Sequence, residues 1–202
     1  MTSIGAIILA AGSGSRMGSA KQLLRIDGQS LVRRAVRAAL DGGCGPVVVV
    51  TGAHAEVVAP ELADLPVILS FNSAWAGGMG TSIRNGLAAL LGRNPEIGAA
   101  AILVCDQPRL NADVIRNVVA GMSGSGKPMG ACDYGGAIGP PCCFARAMFD
   151  TLGQSGDADG AKKLLLAHRG NVQTIPWPEG SDDLDTPEDW QQLCQTDSRP
   201  AQ

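Results

Sequence analysis

The sequence predicts an α/β fold, with a mostly parallel sheet covered on both faces by helices. Three observations carry this. Short apolar runs recur at 4–10, 46–51, 66–71 and 99–105, and such runs bounded by turn residues read as strands buried on both faces. Segments with helical spacing of small and apolar residues separate them, the alternation that a parallel sheet with crossover helices requires. No internal repeat and no long linker interrupts the pattern, so residues 1–195 read as one domain, with a frayed tail at 196–202.

The first strand, 4–10, runs straight into glycines. A helix over 29–42 follows from Leu31, Ala35, Ala38 and Ala39, closed by Gly42 and Gly43. Next come a β-branched strand to Thr51, a helix over 53–63 and a third strand to Phe71. A polar, glycine-rich stretch, 72–80, leads into a helix over 81–91, and the fourth strand ends at Asp106. Val114, Val118 and Val119 predict a helix that Gly121 to Gly126 breaks. Beyond it the pattern gives strands at 128–133 and 137–144, helices at 145–153 and 159–168, a strand at 172–175 and a helix from Pro187.

Composition narrows the function. Aromatic residues make up only 3% and the net charge is −3, which offers neither stacking platforms nor a basic face for nucleic acid. Charge is nonetheless uneven. Residues 1–43 carry Arg16, Lys21, Arg25, Arg33, Arg34 and Arg37, whereas 179–197 carry seven carboxylates and no base. These are either two solvated faces or two halves of one phosphate–metal site. The six cysteines form no C-x-x-C pair, which removes the usual zinc and thioredoxin spacings. The lack of a basic n-region after Met1 and of a long apolar run predicts a cytoplasmic protein with no membrane partner.

The segment Gly12-Ser13-Gly14-Ser15-Arg16-Met17-Gly18-Ser19-Ala20-Lys21 follows a buried strand directly. Glycines let main-chain N–H groups close around phosphate oxygens at the carboxyl edge of a sheet. Arg16 adds a planar fork and Lys21 a mobile point charge. The dinucleotide fingerprint G-x-G-x-x-G is not met, and no acidic residue stands about 20 positions on. The second glycine run, 121–127, misses a P-loop because Pro128 replaces the Ser or Thr and a helix precedes it, so it reads as a turn. Asp106, at a strand end before Gln107-Pro108, suits a magnesium ligand or a helix cap. Asp182, Asp183 and Asp185 crowd ahead of a helix start at Thr186-Pro187, and a metal would offset their repulsion. Gly78, Gly80 and Ser82 precede a helix whose N–H groups and hydroxyls could hold a base or ribose.

These motifs, in this order, resemble the MobA-like nucleotidyltransferases, and most closely the molybdenum cofactor cytidylyltransferases. The resemblance runs from Leu9-Ala10-Ala11-Gly12 through Cys105-Asp106-Gln107-Pro108 to Asp183-Leu184-Asp185-Thr186-Pro187, with Trp75, Gly78, Met79, Gly80 and Ser82 between. It departs at Pro140, ahead of which the family usually has His or Asn, and by one extra residue at Ala158-Asp159. It implies a three-layer α/β/α, Rossmann-like fold of the nucleotide-diphospho-sugar transferase type. It also implies CMP transfer from CTP to the phosphate of a molybdopterin acceptor, with release of pyrophosphate. Ala10, Ala11, Gly12, Ser13, Gly14, Gly78, Gly80 and Ser82 would bind the nucleotide. Asp106 and Asp185 would hold Mg²⁺, with Mn²⁺ as the alternative, and Arg16, Lys21 and Asp106 would be catalytic. A molybdoenzyme or its chaperone would be the downstream partner. The competing readings are a sugar- or alditol-phosphate nucleotidyltransferase on the same fold and a non-catalytic nucleotide- or cofactor-binding protein.

Overall fold

The computed structural model describes residues 3–15, 17–182, 184 and 186–197. The strands are β1 (Ile4–Ala10), β2 (Arg25–Ile26), β3 (Gln29–Ser30), β4 (Val47–Thr51), β5 (Val67–Phe71), β6 (Ala99–Val104), β7 (Met129–Asp133), β8 (Ile138–Ala145) and β9 (Val172–Pro176). The helices are α1 (Leu31–Asp41), α2 (Ala55–Val58), α3 (Met79–Arg93), α4 (Ala112–Ser125), α5 (Phe149–Gly153), α6 (Ala161–Ala167) and α7 (Pro187–Asp197).

Seven strands form one sheet in the order β5-β4-β1-β6-β8-β7-β9. The β5, β4, β1 and β6 neighbours pair in parallel, as do β7 and β9, while β8 is antiparallel to both β6 and β7. The side-chain alternation of β1 explains why both faces must be covered. Ala6, Ile8 and Ala10 enter one core with Val32, Ala35 and Val36 of α1 and Ile115 and Val118 of α4. Ile7 and Leu9 enter the other with Ile83, Leu87 and Leu90 of α3 and with Phe149, Leu152 and Leu165. Helices therefore sandwich a mostly parallel sheet in three layers. α7 closes a small third cluster, where Leu193 and Leu184 meet Leu31.

Several elements differ from the sequence reading. α4 does not break at Gly121 but continues to Ser125, and Gly126 ends it in the left-handed conformation. A glycine in a helix costs about 1 kcal/mol against alanine. Here it permits close packing, because a Cβ on Gly121 would stand 2.5 Å from Ile175 Cδ1 of β9. The helix over 53–63 is one α-turn, α2, followed by a 3₁₀ turn through Pro60. The β2–β3 hairpin carries no periodic signal and went unread. α7 reaches Asp197, and residues 198–202 of the tail expected to fray lie outside the described residues.

Candidate functional site

The loop after β1 owes its shape to an alternation in which donor takes each carbonyl. Gln22 Nε2 donates to Ala10 O at 3.1 Å and to Gly12 O at 2.7 Å. From the other side, Ala53 N–H donates to Ala11 O at 3.1 Å and His54 Nε2 to Ser13 O at 2.8 Å. Met17 N–H takes Gly14 O at 2.8 Å. Five consecutive carbonyls are thus spoken for, while the N–H groups of Gly12, Ser13 and Gly14 have no acceptor among the described residues. In planar trans peptides each N–H opposes the preceding carbonyl, so those of Gly12 and Gly14 turn to the Gln22 and Lys21 side, two donors available to an anion there, while that of Ser13 turns to the β4 side. Gly14 makes the curl possible. It sits at φ +61°, and a Cβ there would lie 2.4 Å from Ser19 O.

A cleft of about 310 Å³ opens beside this loop, lined among others by Gly12, Ser13, Lys21, Trp75, Ser82 and Asp106. Lys21 Nζ donates to Asp106 Oδ2 at 2.5 Å, and both side chains are largely covered. Asp106 stands two residues past the end of β6, so the sheet edge brings it across from the loop after β1. Its backbone carbonyl accepts from Leu184 N–H at 3.0 Å, which tethers the acidic segment to the strand end. Cys105, beside it, contributes no nucleophile: burial first, and the Asp106 charge second, push its thiol up to about 12.

The acidic segment divides its carboxylates. Asp182 pairs with Arg109 Nε at 3.0 Å. Asp189 accepts from Thr186 N–H at 2.8 Å while Thr186 Oγ1 accepts from Asp189 N–H at 3.2 Å, the reciprocal capping that Thr186-Pro187 suggested. Asp185 and Arg16, both assigned from sequence, lie outside the described residues. Asp106 is therefore the one assigned metal ligand in view, and no group of three or more His, Cys, Asp or Glu converges among the described residues. A hard carboxylate in the cleft beside this loop still suits a divalent cation, which takes one or two carboxylates and completes its shell with substrate phosphates and water.

At the amino end of α3, the assigned residues separate. Gly78 and Ser82 line the cleft. Gly80 turns away: its N–H donates to Asp157 O at 2.9 Å, and a Cβ there would fall 2.0 Å from Gly156 O. The 156–159 loop thus takes the donor that the sequence reading assigned to the nucleotide, and Arg84 holds that loop through the Asp157 carboxylate and Ser155 O. Ser82 Oγ and Thr81 Oγ1 accept from the buried Asn72 amide at 3.0 and 2.8 Å. Trp75 both lines the cleft and packs on Gly52, whose Cβ position lies 2.7 Å from Trp75 Cβ.

Of the described bases at the start of the chain, Lys21 lines the cleft, whereas Arg25, Arg33 and Arg34 pair elsewhere. Arg25 pairs with Glu61, Arg33 with Asp64 at 2.6 Å and Arg34 with Asp27 at 3.7 Å, which are solvated pairs. Sequence reasoning missed Gln22, His54 and the bracing role of Gln107. Gln107 Nε2 donates to Pro140 O at 3.0 Å and Gly180 O at 3.1 Å, tying β8 and the start of the acidic segment to the residue after Asp106. Gln22 adjoins Lys21, a position at which a buried amide could have been suspected. His54 caps α2, and nothing local signals its reach to Ser13.

The sequence matches the MobA-like NTP transferase domain over residues 6–172. The chain belongs to that family. It is 36% identical over 110 residues to nicotine blue oxidoreductase of Paenarthrobacter nicotinovorans, covering 54% of this chain and 52% of that protein. It is 33% identical over 175 residues to the bifunctional enzyme IspD/IspF of Caulobacter vibrioides, covering 83% of this chain and 40% of that enzyme. The chain thus spans about half of the first relative's length and less of the second. Rv0371c of Mycobacterium tuberculosis H37Rv superposes with a TM-score of 0.81 at 24% identity, over 96% of this chain and 98% of that one, which establishes the fold. A second structure of Rv0371c, a complex with manganese, superposes with a TM-score of 0.76 at 24% identity, over 96% and 100% of the two chains. Among the described residues no helix is long and apolar enough to cross a membrane.

Proposed function

We propose that this protein is a nucleotidyltransferase that transfers CMP from CTP to the terminal phosphate of a molybdopterin acceptor in the cytoplasm. The observation that carries the reading is one cleft lined by Gly12, Ser13, Lys21 and Asp106, with Lys21 and Asp106 in contact. An acceptor phosphate oxygen attacks the α-phosphorus and forms the new P–O bond. The bond between the α-phosphorus and the bridging oxygen breaks, and pyrophosphate leaves with its electron pair. The attacking phosphate is already anionic, so no general base is required. Charge gathers on the α-phosphoryl oxygens and the leaving group, where the loop N–H groups, Lys21 and Arg16 would meet it. Asp106 and Asp185 would hold Mg²⁺, with Mn²⁺ the alternative, and the cation would supply neutralisation of phosphate charge.

Preference for CTP rests on Ala11, where guanylyl relatives usually carry a second glycine, and the molybdopterin acceptor rests on the motif resemblance. Hydride chemistry, which the name of one relative suggests, is not proposed, since the spacing of Gly12, Gly14 and Gly18 around Arg16 and Met17 lacks the dinucleotide fingerprint. The test is pyrophosphate release from each nucleoside triphosphate, with molybdopterin, sugar phosphates or alditol phosphates as acceptor. CTP with molybdopterin should turn over fastest. Equal or better use of GTP would overturn the base preference, and turnover with a sugar or alditol phosphate alone would overturn the acceptor.

A further inference from the structure

The turn that follows β4 takes no part in the chemistry above, yet it grips the phosphate loop at two alternate carbonyls. Ala53 N–H holds Ala11 O and His54 Nε2 holds Ser13 O, while Gln22 holds Ala10 O and Gly12 O in between. His54 is well placed to act as a fixed strut. It is half-buried and caps α2, its carbonyl accepting from Val57 and Val58 N–H at 3.2 and 3.0 Å. Its partner on the loop is a carbonyl, so Nε2 must carry the proton of that bond.

Peptide units are planar and trans, so a carbonyl drawn one way sends the next residue's N–H the other way. Ser13 O drawn to His54 therefore turns Gly14 N–H away from the β4 turn, and Ala11 O drawn to Ala53 does the same for Gly12 N–H. That opposite side carries Lys21 and Gln22, which line the cleft. If the Ser13–Gly14 peptide flipped, a carbonyl would face the phosphates in place of a donor.

We propose that His54 is a positioning residue for the triphosphate, locking the Ser13–Gly14 peptide with its N–H turned from the β4 turn to the Lys21 side. This rests on the reading that the 12–14 loop receives the triphosphate. The effect belongs to nucleotide binding more than to the chemical step, because the imidazole touches the loop and not the reacting atoms.

The experiment compares wild type, His54→Ala, His54→Gln and Lys21→Ala for calorimetric binding of the four nucleoside triphosphates with Mg²⁺, for KM and kcat, and for Tm. His54→Ala should weaken nucleotide binding and raise KM by about three- to tenfold, the size of one lost hydrogen bond. Its kcat should change less, and its Tm should stay within a few degrees. His54→Gln, whose amide can donate to Ser13 O, should recover most of the loss. If His54→Ala binds like wild type while Lys21→Ala is impaired, the triphosphate site stands and the strut is wrong. If His54→Ala loses binding together with a large fall in Tm, and His54→Gln rescues neither, the role is structural and the proposal is overturned. If wild type binds no nucleoside triphosphate, the reading of the loop fails and the strut with it.

Discussion

Two glycine-rich segments of this chain end in lysine, Gly12 to Lys21 and Gly121 to Lys127, and they use their backbones in opposite ways. The first leaves the carboxyl end of a buried strand, gives every carbonyl from Ala10 to Gly14 to a protein donor, and leaves three N–H groups in a row without acceptors among the described residues. The second spends its polar groups in the last turns of α4 and stops at Gly126. Composition barely distinguishes them. What separates a ligand site from a helix end is the direction of the backbone donors, and a preceding strand or helix decides that direction.

The sharpest way to break this comparison is to remove the charges that face the first segment. Lys21→Ala should lower kcat by about 10²–10³, the usual loss for one preorganised donor in a transition state. Asp106→Ala should fall at least as far. Because Lys21 Nζ and Asp106 Oδ2 stand 2.5 Å apart, the double variant should lose much less than the sum of the two. Additive losses measured in a double-mutant cycle would show that the two residues act separately. A shift in KM alone would make Lys21 a binding residue only.

A smaller effect should come from alanine at one glycine of each segment. Gly14→Ala places a Cβ at φ +61° and 2.4 Å from Ser19 O, a backbone atom that cannot step aside cheaply. The left-handed conformation alone costs about 1–2 kcal/mol, so KM for the nucleotide should rise about tenfold or more. Gly121→Ala meets the Cδ1 end of Ile175, which can rotate, and gains helix propensity. Its kcat and KM should match wild type, and its Tm should move by no more than about 4 °C, the shift that ~1 kcal/mol produces in a chain of this size. Kinetic equivalence of the two variants would erase the distinction between the segments.

Much of this was legible in the sequence where local pattern and tertiary role agree. β1, β4 and β6 are apolar runs buried on both faces, and the loop after β1 was readable because a strand preceded its glycines. The sequence misled where long-range packing overrides local preference. Gly121 looks like a helix breaker until Ile175 is seen pressing on it. Gly80 looks like a free donor until the 156–159 loop takes its N–H. β8 shows the same apolar character as its neighbours, and nothing in that pattern encodes its reversed direction. Gln22 and His54 escaped because each acts on a carbonyl, and a carbonyl has no residue-type signature. The 156–159 loop, by contrast, fell within a segment read only as family resemblance, so its contact with α3 could not be foreseen.

The smallest expected effect belongs to Lys127, and it tests the comparison from its weak side. Lys127 matches Lys21 in closing a glycine run, so a reading based on composition alone gives the two the same role. Their places on the sheet differ. Lys21 follows the carboxyl end of β1, on the edge where open α/β sheets bind ligands. Lys127 precedes β7, which runs in the same direction as β6, and so stands at the amino ends of the strands. Its Nζ donates to Val172 O at 3.0 Å, and its N–H to Ser125 Oγ at 3.2 Å, contacts that anchor β9 and the end of α4. Lys127→Ala removes only the first of these. That bond reaches the start of a strand that the β7 ladder already holds, so stability should change by about 0.5 kcal/mol or less. kcat and KM should be those of wild type at every salt concentration, since the proposed phosphate site lies at the opposite edge of the sheet. A fall in kcat/KM beyond about twofold, or a salt dependence that wild type lacks, would place substrate on the amino edge of the sheet. The contrast between the two segments would then have to be abandoned.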